Sequence, residues 1–202
     1  MIGLIDAGTG NLGSFRNALD YLDIKYTNIN KKEKISDCDK IILPGVGSFR
    51  TLMNNLLKKD LKEGVINFIK EEKPFLGICV GMQILLQEGH EEKKTEGLKI
   101  FKGEVKKINH DFKTPIIAWI KPTIEDKNLN DLIFKNYIEK PFYFLHSYFC
   151  DMQHKEDVVA YTEFKKFKYP SIIKKKNVYG IQFHPEKSRE QGLELIKNFY
   201  RI

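Results

Sequence analysis

The chain has 202 residues, of which 42% are hydrophobic and 30% are charged, and this balance is typical of a globular protein with a sizeable core. It contains neither a run of about 18 apolar residues nor the basic start and long apolar stretch of a signal peptide, so we expect one cytoplasmic domain over residues 1–202 and no membrane contact. The formal net charge of +7 permits nucleic-acid binding, but no signature of a nucleic-acid-binding fold accompanies it.

The first half of the chain alternates strand-like and helix-like segments. Short apolar runs predict strands at residues 2–5, 25–29, 40–43 and 75–78. Apolar residues at helical spacing predict helices at residues 12–22, 49–56, 61–69 and 80–87. Asn11 is placed to cap the first of these helices. This alternation predicts an open, mostly parallel α/β sheet flanked by helices on both faces, with ligands bound beyond the carboxyl ends of the strands.

The second half of the chain has a different pattern, in which extended runs follow one another with turn residues between them. The runs are residues 100–108, 115–120, 142–148, 158–161, 171–173 and 178–183. They predict antiparallel additions to the sheet, and residues 190–200 predict a closing helix.

The turn after the fourth predicted strand carries a thiol between two glycines, in the sequence Gly77-Ile-Cys79-Val-Gly81. This is the arrangement of a nucleophile elbow, a sharp turn that a neighbouring Cβ would obstruct. The N-terminus of the following helix would stabilise a thiolate, and the Val80 N–H would help to bind an oxyanion. A structural cysteine packed beside glycines is the alternative that the motif alone leaves open.

A second motif, Gly180-Ile-Gln-Phe-His184-Pro-Glu186, ends the last predicted strand. Residues two apart on an extended chain point to the same side, so His184 and Glu186 can both reach the carboxyl edge of the sheet. A catalytic thiol needs a base, and the base needs a carboxylate to orient it. Together the two motifs favour a Cys-His-Glu hydrolase, whereas His184 alone would read as an ordinary strand-end histidine.

The other cysteines, Cys38 and Cys150, lie far apart and outside any Cys-x-x-Cys or Cys/His cluster, so we expect inert thiols and no metal site. Lysines alternate with aromatic residues in Phe164-Lys-Lys-Phe-Lys-Tyr169, which is an arrangement able to stack bases. We favour the plainer interpretation of a polar strand with a solvated face, and we predict no nucleic-acid partner.

Five segments spread from end to end resemble the class I (triad) glutamine amidotransferases, and among them the glutaminase subunits of imidazole glycerol phosphate synthases. The segments are Gly8-Thr-Gly-Asn-Leu12, Leu43-Pro-Gly-Val-Gly-Ser-Phe49, Leu76-Gly-Ile-Cys-Val-Gly-Met-Gln83, His146-Ser-Tyr148 and Gln182-Phe-His-Pro-Glu-Lys-Ser188. The resemblance implies a flavodoxin-like fold, hydrolysis of glutamine to glutamate and ammonia, and no cofactor. It also implies a heterodimer with a (β/α)8-barrel synthase subunit of histidine biosynthesis, which receives the ammonia through its core.

The resemblance also assigns roles to individual residues. Cys79 would attack the glutamine side-chain amide to give a glutamyl thioester, His184 would move the proton to the departing ammonia, and Glu186 would orient His184. The positions implied for the oxyanion hole are Gly45, Val46, Gly47 and Val80. Those implied for glutamine binding are Gln83, Glu91, Ser147 and Tyr148, and those implied for the partner interface are Trp119, Lys187 and Ser188.

Two segments depart from the family pattern, while the triad is intact. Where the family usually reads Pro-His-Met-Gly-Trp-Asn, this chain has Pro115-Ile-Ile-Ala-Trp119-Ile120, and Asp6-Ala-Gly-Thr-Gly-Asn-Leu-Gly-Ser14 replaces Asp-Tyr-Gly-x-Gly-Asn-Leu-Arg-Ser. Because the departures affect the side of the partner, one alternative is a paralogue that supplies ammonia to another acceptor, such as a surface sugar that is amidated or amidinated. Another alternative is a protein of a different class, either a non-catalytic binding module or a free-standing Cys hydrolase.

Overall fold

The structure is a computed structural model that describes residues 1–8, 12–125, 131–134 and 140–202. Its helices are α1 (Leu12–Tyr21), α2 (Phe49–Lys58), α3 (Lys62–Lys70), α4 (Val80–Gln83) and α5 (Arg189–Arg201). Its strands are β1 (Ile2–Ile5), β2 (Tyr26–Ile29), β3 (Lys40–Gly45), β4 (Phe75–Cys79), β5 (Glu88–Gly89), β6 (Thr95–Glu96), β7 (Gly103–Lys107), β8 (Ile116–Ile120), β9 (Thr123–Ile124), β10 (Phe142–His146), β11 (Tyr148–Met152), β12 (Val158–Phe164), β13 (Phe167–Lys175) and β14 (Val178–Ile181). The predicted helix cap, Asn11, lies outside the described residues.

The central sheet has the strand order β2-β1-β3-β4-β14-β13-β12-β9. The first five of these strands are parallel, and β13, β12 and β9 extend one edge in antiparallel fashion. Every residue of β1, β4 and β14 is buried, as expected for parallel strands that are covered on both faces. The predicted α/β class, with a mostly parallel sheet and antiparallel additions, is confirmed.

The helices cover both faces of this sheet. The chain moves across the sheet in one direction from β1 to β2 and in the opposite direction from β3 to β4. Because such crossovers are right-handed, α1 packs on one face while α2 and α3 pack on the other. Ser48 caps α2 by accepting a hydrogen bond from the Thr51 N–H, and the apolar residues that predicted this helix are buried: Phe49, Leu52, Met53 and Leu56.

Two smaller sheets lie outside the central one. β8 and β10 form an antiparallel ribbon, and a four-stranded sheet has the order β11-β7-β5-β6. The extended run at residues 142–148 predicted one strand, but the chain is divided at Ser147 between β10 of the ribbon and β11 of the four-stranded sheet. An apolar run alone cannot indicate this division, since both strands keep an alternating buried pattern.

The helix after Cys79 is much shorter than predicted, since α4 ends at Gln83 and not at residue 87. The chain beyond α4 pairs with the returning segment and not with the helix. The Gln87 N–H, which a helix to residue 87 would direct to the Gln83 carbonyl, donates to the Gly103 carbonyl at 3.2 Å, and the Ile84 carbonyl accepts from the Leu98 N–H. Gly97 permits this approach, because a Cβ there would lie 2.2 Å from the Leu86 carbonyl oxygen.

The lysine-rich aromatic segment forms the turn between β12 and β13, and its rings pack on other rings. Phe164 makes an edge contact with Phe112 at 5.1 Å between ring centroids, and Phe167 stacks on Tyr169 at 5.5 Å. Rings engaged in this way are not free to stack bases, which favours the plainer interpretation of the segment.

None of the helices in the described ranges has the length and apolar character that crossing a membrane requires.

Candidate active site

Cys79 is the last residue of β4 and has the unusual backbone angles φ 54° and ψ −110°. A non-glycine residue at positive φ is strained, and such strain is common at catalytic turns. The flanking glycines allow close packing, because a Cβ at Gly77 would lie 2.4 Å from the Gly81 carbonyl oxygen and one at Gly81 would lie 2.0 Å from the Leu43 carbonyl oxygen. The turn therefore has the geometry of the predicted nucleophile elbow.

The end of β3 runs beside this turn. Gly45 is in register with Cys79, and a Cβ at Gly45 would lie 2.6 Å from the Gly81 nitrogen. Val46 follows, and Gly47 has φ 101°, in the region that favours glycine. The segment predicted to form the oxyanion strand thus approaches the N-terminus of α4, where Val80 lies.

His184 and Glu186 form a buried pair just beyond the end of β14. The imidazole Nδ1 lies 2.9 Å from the Glu186 Oε1, and the two side chains are 2% and 7% exposed. Donation from Nδ1 to the carboxylate leaves Nε2 as the ring atom that can exchange a proton with Cys79. The main chain of His184 is held by its own N–H, which donates to the Tyr143 carbonyl at 2.9 Å.

The surroundings of His184 favour its charged form. Burial alone would lower the pKa of this imidazole, but its interactions with the Cys79 thiol and with Glu186 outweigh burial and raise the pKa to about 10. A proton taken from the thiol would therefore be retained on the ring. This is the behaviour required of the base in a Cys-His-Glu triad.

One cavity of about 120 Å³ brings the sequence-predicted residues together. Its lining comprises Val46, Gly47, Cys79, Val80, Gln83, Glu91, Leu145, His146, Ser147, Tyr148 and His184. The acidic group in this lining is fixed at the start of α2, where the Glu91 Oε2 accepts from the Phe49 N–H at 2.7 Å. Burial raises the pKa of Glu91, although the hydrogen bond from Phe49 opposes this. A cavity of this size and mixed polarity suits a small polar ligand.

Sequence reasoning missed two groups that contact the sulfur of Cys79. The thiol lies 3.8 Å from the Leu145 carbonyl oxygen, and a main-chain contact of this kind leaves no signature in residue type. The Nε2 of Gln182 donates to the sulfur at 3.6 Å. Gln182 precedes His184 by two residues, so the rule that identified Glu186 could also have identified Gln182.

Comparison with known proteins decides the family. The model of the family described as glutamine amidotransferase class-I matches residues 4–202. The chain belongs to this family. It is therefore a glutamine-hydrolysing enzyme. This finding overturns the alternative of a non-catalytic binding module.

Relatives of this amidotransferase carry the name imidazole glycerol phosphate synthase subunit HisH. The protein of Methanocaldococcus jannaschii is 42% identical over 100% of both chains, and that of Leptospira borgpetersenii is 39% identical over 98% of both. Among solved structures, PurLQS of Thermotoga maritima has a TM-score of 0.76 at 19% identity, covering 99% of this chain and 97% of that chain. The glutaminase domain of Trypanosoma brucei CTPS with bound acivicin has a TM-score of 0.64 at 14% identity, covering 99% and 93%. These structures share the fold.

The residues predicted to meet a partner are divided between surface and interior. Trp119 is 43% exposed and carries the Arg189 guanidinium 5.1 Å from the centre of its ring, while the Lys187 Nζ lies 5.9 Å from the ring of Tyr143. Ser188 differs from the prediction, because it is fully buried. Its hydroxyl donates to the His184 carbonyl at 2.6 Å and accepts from the Tyr143 N–H at 2.9 Å. The Ser188 side chain therefore supports the base and is not available to a partner.

Outside this cavity, the described part of the amidotransferase holds two further thiols and one acidic cluster. Cys38 and Cys150 are free and buried, and burial raises the pKa of both thiols. Within the described ranges, three residues converge closely enough to hold a cation: Glu88, His90 and Glu104. Lysines compete for this site, since Lys94 and Lys106 lie 2.8 Å and 2.9 Å from its carboxylates.

Proposed function

We propose that this enzyme is the glutaminase subunit of an imidazole glycerol phosphate synthase, formed by one domain over residues 1–202, and that it passes ammonia to a (β/α)8-barrel partner. The observation that carries the chemistry is the cavity that Cys79 shares with the buried His184–Glu186 pair. The HisH relatives, 39% and 42% identical over nearly their full length, support the choice of pathway.

The geometry supports a complete reaction. The Cys79 thiolate attacks the side-chain carbonyl carbon of glutamine, and main-chain N–H groups of Val80 and of the segment Gly45–Gly47 stabilise the oxyanion. The His184 imidazolium protonates the leaving nitrogen, so that ammonia departs and a glutamyl thioester remains. His184 then takes a proton from water, which hydrolyses the thioester to glutamate and regenerates the thiol. Glu186 holds the ring in one tautomer throughout.

Glutamine would be held by groups on the opposite wall of the cavity. Glu91 is the carboxylate of the lining and can pair with the α-ammonium group of the substrate. The Gln83 Nε2 donates to the Tyr148 carbonyl and to the Gln182 Oε1, both at 3.1 Å, which leaves the Gln83 Oε1 to accept from the ligand. Ser147, which connects β10 to β11, and Tyr148, the first residue of β11, complete this wall.

A partner surface adjoins this cavity. On the β8–β10 ribbon, the pairs Ile117–Leu145 and Trp119–Tyr143 lie opposite each other and alternate with buried or partly buried residues, so all four share the outward face. Ile117 and Trp119 are 60% and 43% exposed. Because Leu145 also lines the cavity, a barrel docked on this face would cover the site where ammonia is released. Enclosure matters, since free ammonia would be protonated or would diffuse away.

The hydrolytic step is tested by measuring glutamate release from glutamine for the wild type and for Cys79→Ser, with and without a candidate barrel subunit. We expect partner-dependent release by the wild type and none by Cys79→Ser. Absence of activity under every condition would contradict the proposal. Substantial release by the wild type alone would instead favour a free-standing hydrolase.

A second candidate is a paralogue that supplies ammonia to another acceptor, such as a surface sugar. The exposed Ile117 favours it, because this residue lies in the segment that departs from the family pattern at the proposed partner face. Genetic complementation separates the two candidates. Growth without histidine of a strain that lacks its own glutaminase subunit, after introduction of this chain, removes the main support for the second candidate.

A further inference from the structure

The thiolate of Cys79 needs a source of stabilisation other than the helix that follows it. The sequence predicted an eight-residue helix at residues 80–87, whose N-terminus would favour the anion. The observed α4 has 4 residues, and so short a helix aligns few peptide dipoles. The groups that contact the sulfur directly must therefore supply much of the effect.

Besides the His184 imidazole, two groups contact the sulfur, and these two favour opposite protonation states. The Leu145 carbonyl oxygen, 3.8 Å away, can only accept a hydrogen bond, so it stabilises the protonated thiol. The Gln182 amide nitrogen, 3.6 Å away, can only donate, so it stabilises the thiolate. Gln182 is fully buried, where a hydrogen bond to an anion is stronger than in water.

The direction of the Gln182 hydrogen bond is fixed by its neighbour. The Gln182 Oε1 accepts from the Gln83 Nε2 at 3.1 Å, and the other hydrogen of that Nε2 goes to the Tyr148 carbonyl at 3.1 Å. If the Gln182 amide were turned, two NH₂ groups would face each other and a carbonyl oxygen would face the sulfur. Both contacts would be repulsive for a thiolate, so the amide must present its NH₂ group to Cys79.

The network extends to a buried histidine whose tautomer is also determined. The Tyr148 carbonyl accepts from the His146 Nδ1 at 2.8 Å, so the Nε2 of the same ring accepts from the Tyr169 hydroxyl at 3.2 Å. Burial lowers the pKa of His146 to about 4, so the ring is neutral at physiological pH, as this pattern requires. The Tyr148 carbonyl is thereby held in place as the acceptor for Gln83.

We propose that Gln182 is a positioning residue that donates a hydrogen bond to the Cys79 thiolate and holds the sulfur for attack, with Gln83 setting the direction of that bond. The proposal rests on the role of Cys79 as nucleophile stated above. The titratable groups around the sulfur in the described structure are His184 with its partner Glu186, the buried Cys150 thiol, and Glu91, His146 and Tyr148 of the cavity lining. The variants below leave all of these side chains unchanged.

The test follows the alkylation of Cys79 by iodoacetamide as a function of pH in the full chain, with mass spectrometry of the peptide that contains Cys79. Gln182→Met keeps the length of the side chain and removes the donor. We expect its alkylation midpoint to move to higher pH by about one unit, because a hydrogen bond to an anion is worth roughly 1.5 kcal/mol or more. Glutamate release with the barrel partner should fall near neutral pH and recover as the pH rises.

Two further variants complete the test. Gln87→Met removes a glutamine that does not contact the thiol. The Gln87 Oε1 accepts from the Gly103 N–H at 3.2 Å, and the alkylation midpoint of this variant should match that of the wild type. Gln83→Met allows the Gln182 amide to turn, so the alkylation midpoint of this variant should also rise. If Gln182→Met does not fold, the Gln83→Met variant tests the proposal in its place. An unchanged midpoint in the variants at residues 83 and 182 overturns the proposal. Alkylation needs neither glutamine nor partner, so a shifted midpoint without glutamate release would count against the proposed function alone.

Discussion

Two histidines that line the same cavity have pKa values that are shifted in opposite directions by their surroundings. His184 contacts a carboxylate and a thiol, and its pKa is raised to about 10 although burial opposes this. The hydrogen-bond partners of His146 given above, the Tyr148 carbonyl and the Tyr169 hydroxyl, are neutral, and burial lowers the pKa of His146 to about 4. In the proposed reaction, the charge that moves is thereby confined to the His184 ring, and His146 provides a neutral wall.

The opposite shifts predict how stability depends on pH. In the unfolded chain both imidazoles have a pKa of 6.5. As the pH falls from 6.5 to about 4, His146 becomes protonated in the unfolded chain but stays neutral in the folded one, and this difference removes about 3 kcal/mol of the free energy of unfolding. His184 contributes stability that is present below 6.5 and lost as the pH rises towards about 10. We therefore expect His146→Gln, which does not titrate, to lose less stability than the wild type between about pH 7 and about pH 4.5. Urea unfolding at both values measures this, and an equal loss in the two proteins contradicts it.

At the scale of elements, periodic burial was predictable and non-local hydrogen bonding was not. The helix α2 followed from apolar residues at helical spacing, β4 followed from an apolar run, and the Cys79 turn followed from the glycines that flank the thiol. The end of α4 did not follow, because it depends on hydrogen bonds with residues 98–103, which no local sequence pattern indicates. Ser188 was misplaced for a similar reason, since the short turn at Pro185–Lys187 rotates its hydroxyl inward towards His184.

The close approach of β3 and α4 predicts a sharp difference between two glycines. A methyl group at Gly81 would meet the Leu43 carbonyl oxygen at 2.0 Å, and main chain cannot give way cheaply. Gly81→Ala should therefore cost about 3 kcal/mol or more and displace the turn that carries Cys79. At Gly64 in α3 the same methyl group meets the flexible end of Ile35, and removal of a helical glycine stabilises by up to about 1 kcal/mol. Denaturant unfolding of both variants measures the difference, and similar losses at the two positions would refute the packing argument.

Across the whole molecule, catalysis and the proposed docking face share the edge where the parallel strands end. The cavity, the oxyanion segment and the outward face of the β8–β10 ribbon all lie there. The helix α5 begins beside Ser188 at this edge and, with 13 residues, extends about 20 Å away from it. Its far end reaches the start of β3, where the Lys40 ammonium bonds the main chain of Ile202. Tyr200 thus marks the edge opposite to the cavity.

The position of the cavity at one edge of the sheet predicts which exposed aromatic residue the proposed barrel partner contacts. Trp119 and Tyr200 are 43% and 45% exposed, so they are matched in exposure but lie at opposite edges of the sheet. Trp119→Ala should raise the concentration of partner needed for half-maximal glutamate release about tenfold or more, because a large aromatic residue at the centre of an interface contributes roughly 1.4 kcal/mol or more. Activity at saturating partner should approach that of the wild type, since Trp119 does not line the cavity. Tyr200→Ala should titrate as the wild type does. Equal weakening by the two substitutions, or none by Trp119→Ala, would show that the partner docks elsewhere.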